Sequence, residues 1–186
     1  MSGYDTALQW CKVFLLNKSF TAFAGSELAY ALLFTMEYVF KCYISARLKK
    51  VLDREKYSIS IQDKSHYIFD YPSKKFALKP DIVLKDNTSG KTIVLDTKWK
   101  LLTPCYSNFG ISQADMYQLY AYGKKYAAEK VILLYPWNEN VRNLSDEIFF
   151  SSNDWVYVKV IFVDLLEMDK SMEHLVKVIV DTLTFT

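Results

Sequence analysis

Apolar and polar residues alternate along the chain with two different periods. Residues 4–17 carry apolar side chains at helical spacing, which predicts a short helix. Residues 27–50 repeat that spacing over a longer stretch, after Gly25-Ser26 as a chain break and N-cap. Arg47, Lys49 and Lys50 lie in the last turn, where cations suit the negative pole of a helix. The first part of the chain is therefore predicted to be helical.

After residue 50 the pattern changes to a period of two, which is typical of half-buried strands. Residues 57–61 alternate in this way, and residues 76–84 and 92–99 predict two strands joined as a hairpin by the polar segment 85–90. Farther along we expect a helix, a buried strand, two more strands and a closing helix, over residues 111–128, 131–135, 148–150, 155–163 and 171–183. This order predicts the α/β class, with a mixed central β-sheet flanked by helices.

The composition favours one intracellular domain. A chain of 186 residues, 51% of them hydrophobic, can bury a single sizeable core. The three cysteines are far apart in the sequence, which indicates reduced thiols rather than disulfides or a zinc site. The sequence shows no signal peptide and no apolar stretch long enough for a membrane span. We therefore expect a soluble cytoplasmic protein that has no membrane partner.

The net charge is only +2, but lysines concentrate in one region. Between residues 74 and 100 the charged side chains are Lys74, Lys75, Lys79, Asp81, Lys85, Asp86, Lys91, Asp96, Lys98 and Lys100. Seven cations against three anions favour contact with a phosphate backbone. A solvated sheet surface would show the same composition, so the cluster leaves both interpretations open.

Two aspartates and a lysine are the strongest candidates for chemistry. Asp96 and Lys98 are two residues apart in a predicted strand, so their side chains lie on the same face. The hairpin can place Asp81, which follows Pro80, beside them. Two carboxylates and a strand carbonyl suit Mg²⁺, which can polarise a phosphate and activate water. A structural Asp–Lys pair is the alternative.

Two helices can complete this site. Glu37 lies at the edge of the apolar face of the first long helix, where it could reach a metal or extend into solvent. Asp115, Gln118 and Tyr122 share one face of the later helix and can direct Gln118 towards the carboxylates.

Gly90-Lys91-Thr92 imitates the end of a phosphate-binding loop. Lys85 stands where that motif requires its first glycine, and the segment precedes a strand rather than a helix. We therefore expect no GTP or other nucleotide to bind this chain.

Four ordered blocks carry a family resemblance. Asp81 follows a proline, and Asp96-Thr97-Lys98 comes fifteen positions later, as in the PD-(D/E)xK nucleases. Gln118 to Tyr122 resembles the Gln-x-x-x-Tyr element of the RecB-like branch. The blocks LFTME (33–37), KPDIVL (79–84), VLDTKWK (94–100) and DMYQLYAY (115–122) together resemble the McrC family, the nuclease subunits of McrBC-type modification-dependent restriction systems.

The resemblance implies a restriction-endonuclease-like fold and a Mg²⁺-dependent DNA endonuclease, with Mn²⁺ as a possible substitute. It assigns metal binding to Asp81, Asp96 and Glu37, catalysis to these three with Lys98 and Gln118, and DNA contacts to Lys79, Lys100 and Tyr122. The expected partners are methylated DNA and a GTP-driven AAA+ protein of the McrB type, which recognises the modified base.

The resemblance also implies a domain plan for residues 1–186. A helical lead-in occupies 1–26, the catalytic core 27–136, and a β-rich extension with a helix 137–186. The N-terminal region by which McrC proteins engage their partner is expected to be absent. A RecB-like nuclease of another repair or defence pathway, and a non-catalytic module that binds DNA or a partner, are the alternatives.

Overall fold

The computed structural model describes residues 35–142, 144 and 148–184. The elements in this part of the chain are α1 (Met36–Val51), β1 (Tyr57–Ile61), β2 (Tyr67–Phe69), β3 (Lys75–Ala77), β4 (Ile82–Asp86), β5 (Thr92–Thr97), α2 (Gln113–Lys125), β6 (Lys130–Pro136), β7 (Phe149–Ser151), β8 (Tyr157–Val163) and α3 (Met168–Thr184). Short 3₁₀ turns occupy Ser107–Gly110 and Glu139–Val141. The predicted helix over residues 4–17 lies outside the described residues.

Six strands form one mixed sheet in the order β1-β4-β5-β6-β8-β7. β1, β4 and β5 pair antiparallel, with Ile82 opposite Leu95 in the β4–β5 hairpin. β5, β6 and β8 pair parallel, and β7 closes the far edge antiparallel to β8. The sheet therefore changes from antiparallel to parallel at β5. The predicted mixed α/β architecture is confirmed.

Helices cover both faces of this sheet because its central strands are apolar on both sides. α1 and α3 pack on one face through Ile44 and Leu175, against Ile93 and Leu95 of β5. α2 packs on the other face, where Leu119 meets a second cluster that contains Val94. At Gly123 of α2 an added Cβ would lie 2.7 Å from Val156 Cγ1. A glycine is needed here for the helix to approach the sheet this closely.

The predicted strand over residues 76–84 is wrong in one respect, because the structure divides it in two. Lys75–Ala77 pairs with Tyr67–Phe69 in a separate two-stranded sheet, which the sequence did not predict. Ile82–Asp86 belongs to the main sheet. Pro80 separates them, since it has no N–H to offer a ladder.

The predicted helix over residues 27–50 is also not continuous. Thr35 has extended backbone (φ −65°, ψ 131°), so α1 begins at Met36 and ends at Val51, one residue beyond the predicted end. Thr35 holds the N-cap position, although its side chain makes no capping hydrogen bond there. No helix in the described part of the chain is long and apolar enough to cross a membrane.

Candidate active site

Strand β5 carries the central carboxylate of the candidate site. Asp96 is only 3% exposed, although it lies next to the last residue of the strand. Lys98 follows the strand, and its backbone N–H donates to the carbonyl of Leu134 at 2.9 Å, which continues the parallel pairing with β6. This hydrogen bond keeps the chain extended, so Lys98 comes to the same side as Asp96, as predicted. Lys98 Nζ lies 3.0 Å from Asp96 Oδ2.

Asp81, which immediately precedes β4, is hydrogen-bonded to the end of β5. Its Oδ2 accepts hydrogen bonds from the backbone N–H of Thr97 at 2.9 Å and from Thr97 Oγ1 at 2.6 Å. Its Oδ1 lies 3.5 Å from Lys41 Nζ of α1. These contacts set the orientation of the carboxylate before any ligand arrives. Thr97 and Lys41 therefore position Asp81, and neither role was predicted from the sequence.

Helix α2 completes the surroundings of Lys98. Lys98 Nζ lies 3.4 Å from Asp115 Oδ1 and donates to Gln118 Oε1 at 3.3 Å. Asp115 and Gln118 are three residues apart and share a helical face, as the sequence predicted. The N-cap Ser112, whose hydroxyl accepts from the Asp115 N–H at 3.1 Å, fixes where this face begins. The lysine thus lies between a strand carboxylate and two helix side chains.

Burial dominates the electrostatics of the site. It raises the pKa of Asp96 to about 6, with nearby Asp81 adding to the rise and Lys98 opposing it. Burial also works against the charge of Lys98, but the carboxylates of Asp96 and Asp115 outweigh it and raise the pKa of this lysine. Asp81 and Asp96 are thus close enough for their charges to interact. A cation beside Asp96 would offset both the energetic cost of burying its negative charge and the repulsion between Asp96 and Asp81.

The donor set can be compared with the needs of a metal ion. Asp96 Oδ2 is buried and has no hydrogen-bond partner with good geometry in the described structure, although Lys98 lies close to it. Asp81 and Asp96 offer hard oxygen atoms, and Mg²⁺ is commonly held by one or two carboxylates while it keeps several waters. Among the described residues no group of three His, Cys, Asp or Glu side chains is arranged as a complete metal site. The residues fit a water-rich Mg²⁺ site rather than an all-protein cage.

Glu37, predicted as the third metal ligand, lies exposed in the first turn of α1. Among the described residues no hydrogen bond or ion pair joins it to Asp81 or Asp96. Lys41, one turn later, reaches Asp81 instead. Glu37 and Lys41 lie on one face of α1, since positions i and i+4 are neighbours on a helix surface, and metal binding by Glu37 stays a prediction.

The three residues predicted to contact DNA have different surroundings. Lys79 is exposed, and Lys100 is exposed with its Nζ donating to the carbonyl of Gly110 at 2.6 Å. Tyr122 is only 1% exposed, so it offers DNA no surface, and its predicted direct contact is wrong. The phenol packs in the core beneath the site because the face of α2 that carries it turns towards the sheet.

Two buried tyrosines lie close enough to the carboxylates for the charge of Asp96 to affect them. Tyr122 and Tyr135 have buried hydroxyls that make no hydrogen bond of good geometry within the described residues, although the Tyr122 hydroxyl lies close to the backbone of Lys79. Burial raises the pKa of both, and the charge of Asp96 adds to the rise. Both phenols therefore stay protonated and keep a donor near Asp96. The apolar run of residues 131–135 predicts the burial of Tyr135, whereas neither the burial of Tyr122 nor the proximity of the two phenols to Asp96 was predicted.

Comparison with known proteins adds two findings. A family model described as "McrBC 5-methylcytosine restriction system component" matches residues 1–136. Among solved structures the chain is similar to one in the half-complex of Thermococcus gammatolerans McrB AAA+ hexamers with bound McrC, with a TM-score of 0.60 and 18% identity. That match covers 77% of this chain and 33% of the other, so this chain spans about a third of its length. No curated protein matches the chain.

Proposed function

The chain belongs to the family of McrBC 5-methylcytosine restriction system components, and we propose that it is a magnesium-dependent DNA endonuclease domain of the McrC type. Its core would be a PD-(D/E)xK nuclease fold. The observation that carries this proposal is the gathering of Asp81, Asp96 and Lys98 at the end of β5, with Asp96 almost fully buried. A buried carboxylate beside a second one is costly unless a cation or proton joins it.

In this proposal Asp81 and Asp96 would hold Mg²⁺. Bound there, the metal would polarise the scissile phosphate and lower the pKa of an attacking water. Lys98 orients that water and stabilises negative charge on the phosphate, because its raised pKa keeps it protonated. Asp115 and Gln118 hold the lysine in place, and Thr97 holds Asp81. These supporting contacts are of the kind that tune a metal site from its surroundings.

The proposed partner is an AAA+ GTPase of the McrB type. Family membership supports it, as does the fold shared with a chain of an assembly in which McrC is bound to McrB hexamers. Because this chain spans only about a third of the similar chain, the partner and the whole assembly's activity belong to the proposal. The partner would recognise methylated DNA and use GTP, and this chain would cut.

Cleavage of circular methylated DNA tests the proposal. The chain is assayed alone and with an McrB-type GTPase and GTP, each with Mg²⁺ or with EDTA. Cleavage is expected only with Mg²⁺, and a circular substrate distinguishes an endonuclease from an end-dependent RecB-like enzyme. Asp96→Asn should lower the rate about 10³-fold or more, since the metal-centred chemistry is lost.

Asp181→Asn, on the exposed surface of α3, is the matched control and should cut like the unchanged chain. Undiminished cleavage by Asp96→Asn would show that the carboxylate does not carry the reaction.

One observation favours a second candidate, a non-catalytic module that binds DNA or a partner. Lys41 and Lys98 already pair with the two aspartates, so the cluster is electrically satisfied as a structural network. Calorimetric titration with Mg²⁺ and Mn²⁺ separates the two candidates. Binding that disappears in Asp96→Asn supports the nuclease, and the absence of any metal-dependent heat supports the binding module.

A further inference from the structure

The two-stranded sheet formed by β2 and β3, here called the ribbon (residues 67–77), is separate from the main sheet. Tyr67 pairs with Ala77 and Phe69 with Lys75, antiparallel, and neither strand pairs with any of the six strands described for the main sheet. Both strands lack a fully buried residue. The ribbon therefore adds little to the hydrophobic core, and its side chains are available for contacts outside the domain.

Aromatic side chains are exposed along the ribbon. Phe69 is 56% exposed, Phe76 71% and Tyr71 91%, and the rings of Phe69 and Phe76 lie 6.0 Å apart. Phe76 has a φ of +58°, in the left-handed region that bulky residues rarely adopt. Apart from this ring pair, the exposed Phe76 side chain adds nothing to the packing of the hydrophobic core. Such outliers accumulate where a side chain is held for contact with a ligand.

The ribbon and its flanks are positively charged. Lys74 and Lys75 lie on it, and Lys79 lies between it and Asp81. Lys75 and Lys79 form no ion pair with any described residue, whereas the ribbon's carboxylate, Asp70, is paired with Lys125 of α2 at 2.8 Å. The charges of Lys75 and Lys79 are therefore free to meet an anionic partner, whereas Lys74 Nζ lies over the Tyr67 ring, 5.6 Å from its centroid.

The base of the ribbon is anchored beside the candidate active site. The backbone N–H of Leu78 donates to the carbonyl of His66 at 2.9 Å, and Leu78 is buried in the core below α2. His66 packs on Tyr126 with ring centroids 4.1 Å apart. Asp81 is five positions after Phe76, so their Cα atoms are at most about 18 Å apart. DNA held at Asp81 and Asp96 thus lies within reach of the ribbon.

We infer that the β2–β3 ribbon is a second DNA-contacting element that enters the major groove beside the bond to be cut. A major groove about 12 Å wide admits a two-stranded β-ribbon. Lys74, Lys75 and Lys79 contact backbone phosphates, and the exposed phenylalanines make apolar contacts with base edges. The inference rests on the proposed function, because it takes the DNA at the two aspartates to be the substrate.

Duplex binding by the full chain tests the ribbon separately from cleavage. Affinity for a fluorescent duplex is measured by anisotropy in EDTA over a series of salt concentrations. The double variant Lys74→Ala/Lys75→Ala is expected to bind at least about tenfold more weakly and to lower the slope of log affinity against log salt by about 2, since two phosphate contacts are lost. Phe76→Ala should weaken binding at least about fivefold without changing the slope.

The matched control is Lys49→Ala/Lys50→Ala, which removes two neighbouring exposed lysines from the far end of α1. It should change affinity less than about twofold, as expected where no phosphate contact is lost. Thermal melts that match the unchanged chain show that the variants are folded.

Several outcomes overturn the inference: equal losses in the ribbon and control variants, unchanged affinity in the ribbon variants, no duplex binding by the unchanged chain, or a loss confined to binding of the AAA+ partner. Ribbon-dependent binding without Mg²⁺-dependent cleavage keeps the ribbon's role and rejects the nuclease. If cleavage depends on Asp96 but the ribbon variants bind DNA normally, the nuclease proposal is kept and the ribbon's role is rejected.

Discussion

The β4–β5 hairpin and the β2–β3 ribbon are neighbouring antiparallel pairs with opposite relations to solvent. The hairpin has completely buried residues on the sheet face that α1 and α3 cover: Ile82, Leu84, Ile93 and Leu95. The ribbon buries no residue fully in either strand. The border between them is Pro80, where main-chain pairing stops. Local strand pairing is thus compatible with two tasks: the hairpin holds charged groups rigidly, and the ribbon presents side chains outward.

Core substitutions should show this difference most strongly. Leu95→Ala in the hairpin should lower the free energy of unfolding by about 3 kcal/mol, because it leaves a cavity in a fully packed core. Phe76→Ala in the ribbon should change it by less than about 0.5 kcal/mol, since that ring is mostly exposed. Urea unfolding monitored by tryptophan fluorescence measures both. Similar losses of unfolding free energy in Leu95→Ala and Phe76→Ala would contradict the view that the hairpin, and not the ribbon, belongs to the core.

The free energy of unfolding should also depend on pH, because Asp96 is buried at the end of the hairpin. The pKa of Asp96 is raised from 3.8 to about 6 by burial, so the folded protein holds a proton that the unfolded chain releases. Asp96 therefore favours folding most below pH 4, and its contribution falls as pH rises towards 6. From pH 4 to 6.5 the metal-free protein should lose about 2 kcal/mol of stability relative to Asp96→Asn.

Urea unfolding of both proteins in EDTA at several pH values gives this difference directly. Parallel pH curves would show that Asp96 titrates normally. Addition of Mg²⁺ at pH 7 should stabilise the unchanged chain more than Asp96→Asn, because ligand binding to the folded state adds stability.

The smallest expected effect concerns the contact between α1 and the end of the hairpin. Lys41→Met removes a cation 3.5 Å from Asp81, in a pair whose side chains are 16% and 14% exposed. Mg²⁺ should then bind about fivefold more tightly, since the metal no longer competes with the ammonium for this carboxylate. Calorimetry measures the affinity, with Lys49→Met as the control. Weaker Mg²⁺ binding in Lys41→Met would mean that the lysine supports the metal site rather than opposing it.

The sequence predicted what depends on neighbouring residues. Alternation over residues 92–99 placed Asp96 and Lys98 on one side, and the polar segment after β4 predicted the hairpin. Helical spacing brought Asp115 and Gln118 to one face of α2, and the structure places both against Lys98. Each of these features follows from periods of two or 3.6 residues.

What the sequence could not predict depends on contacts between distant elements. Lys41 meets Asp81 only because α1 crosses the sheet at a particular height, which periodicity leaves open by one turn. The ribbon strands have three residues each and lack a buried face, so they gave no hydrophobic signal. Tyr122 shares its predicted helix face with Asp115 and Gln118, and only the packing of α2 on the sheet shows that its ring is buried.

The separate strand pairing of the ribbon has a consequence for how such a domain can change over time. The hydrogen bond from Leu78 to His66 closes the ribbon at its base, and in the described structure no strand of the main sheet pairs with it. A ribbon of different sequence or length, grafted between these two residues, would leave Asp81, Asp96 and Lys98 in their places. If the ribbon contacts DNA as we infer, its contacts could diversify while the candidate active site is inherited unchanged.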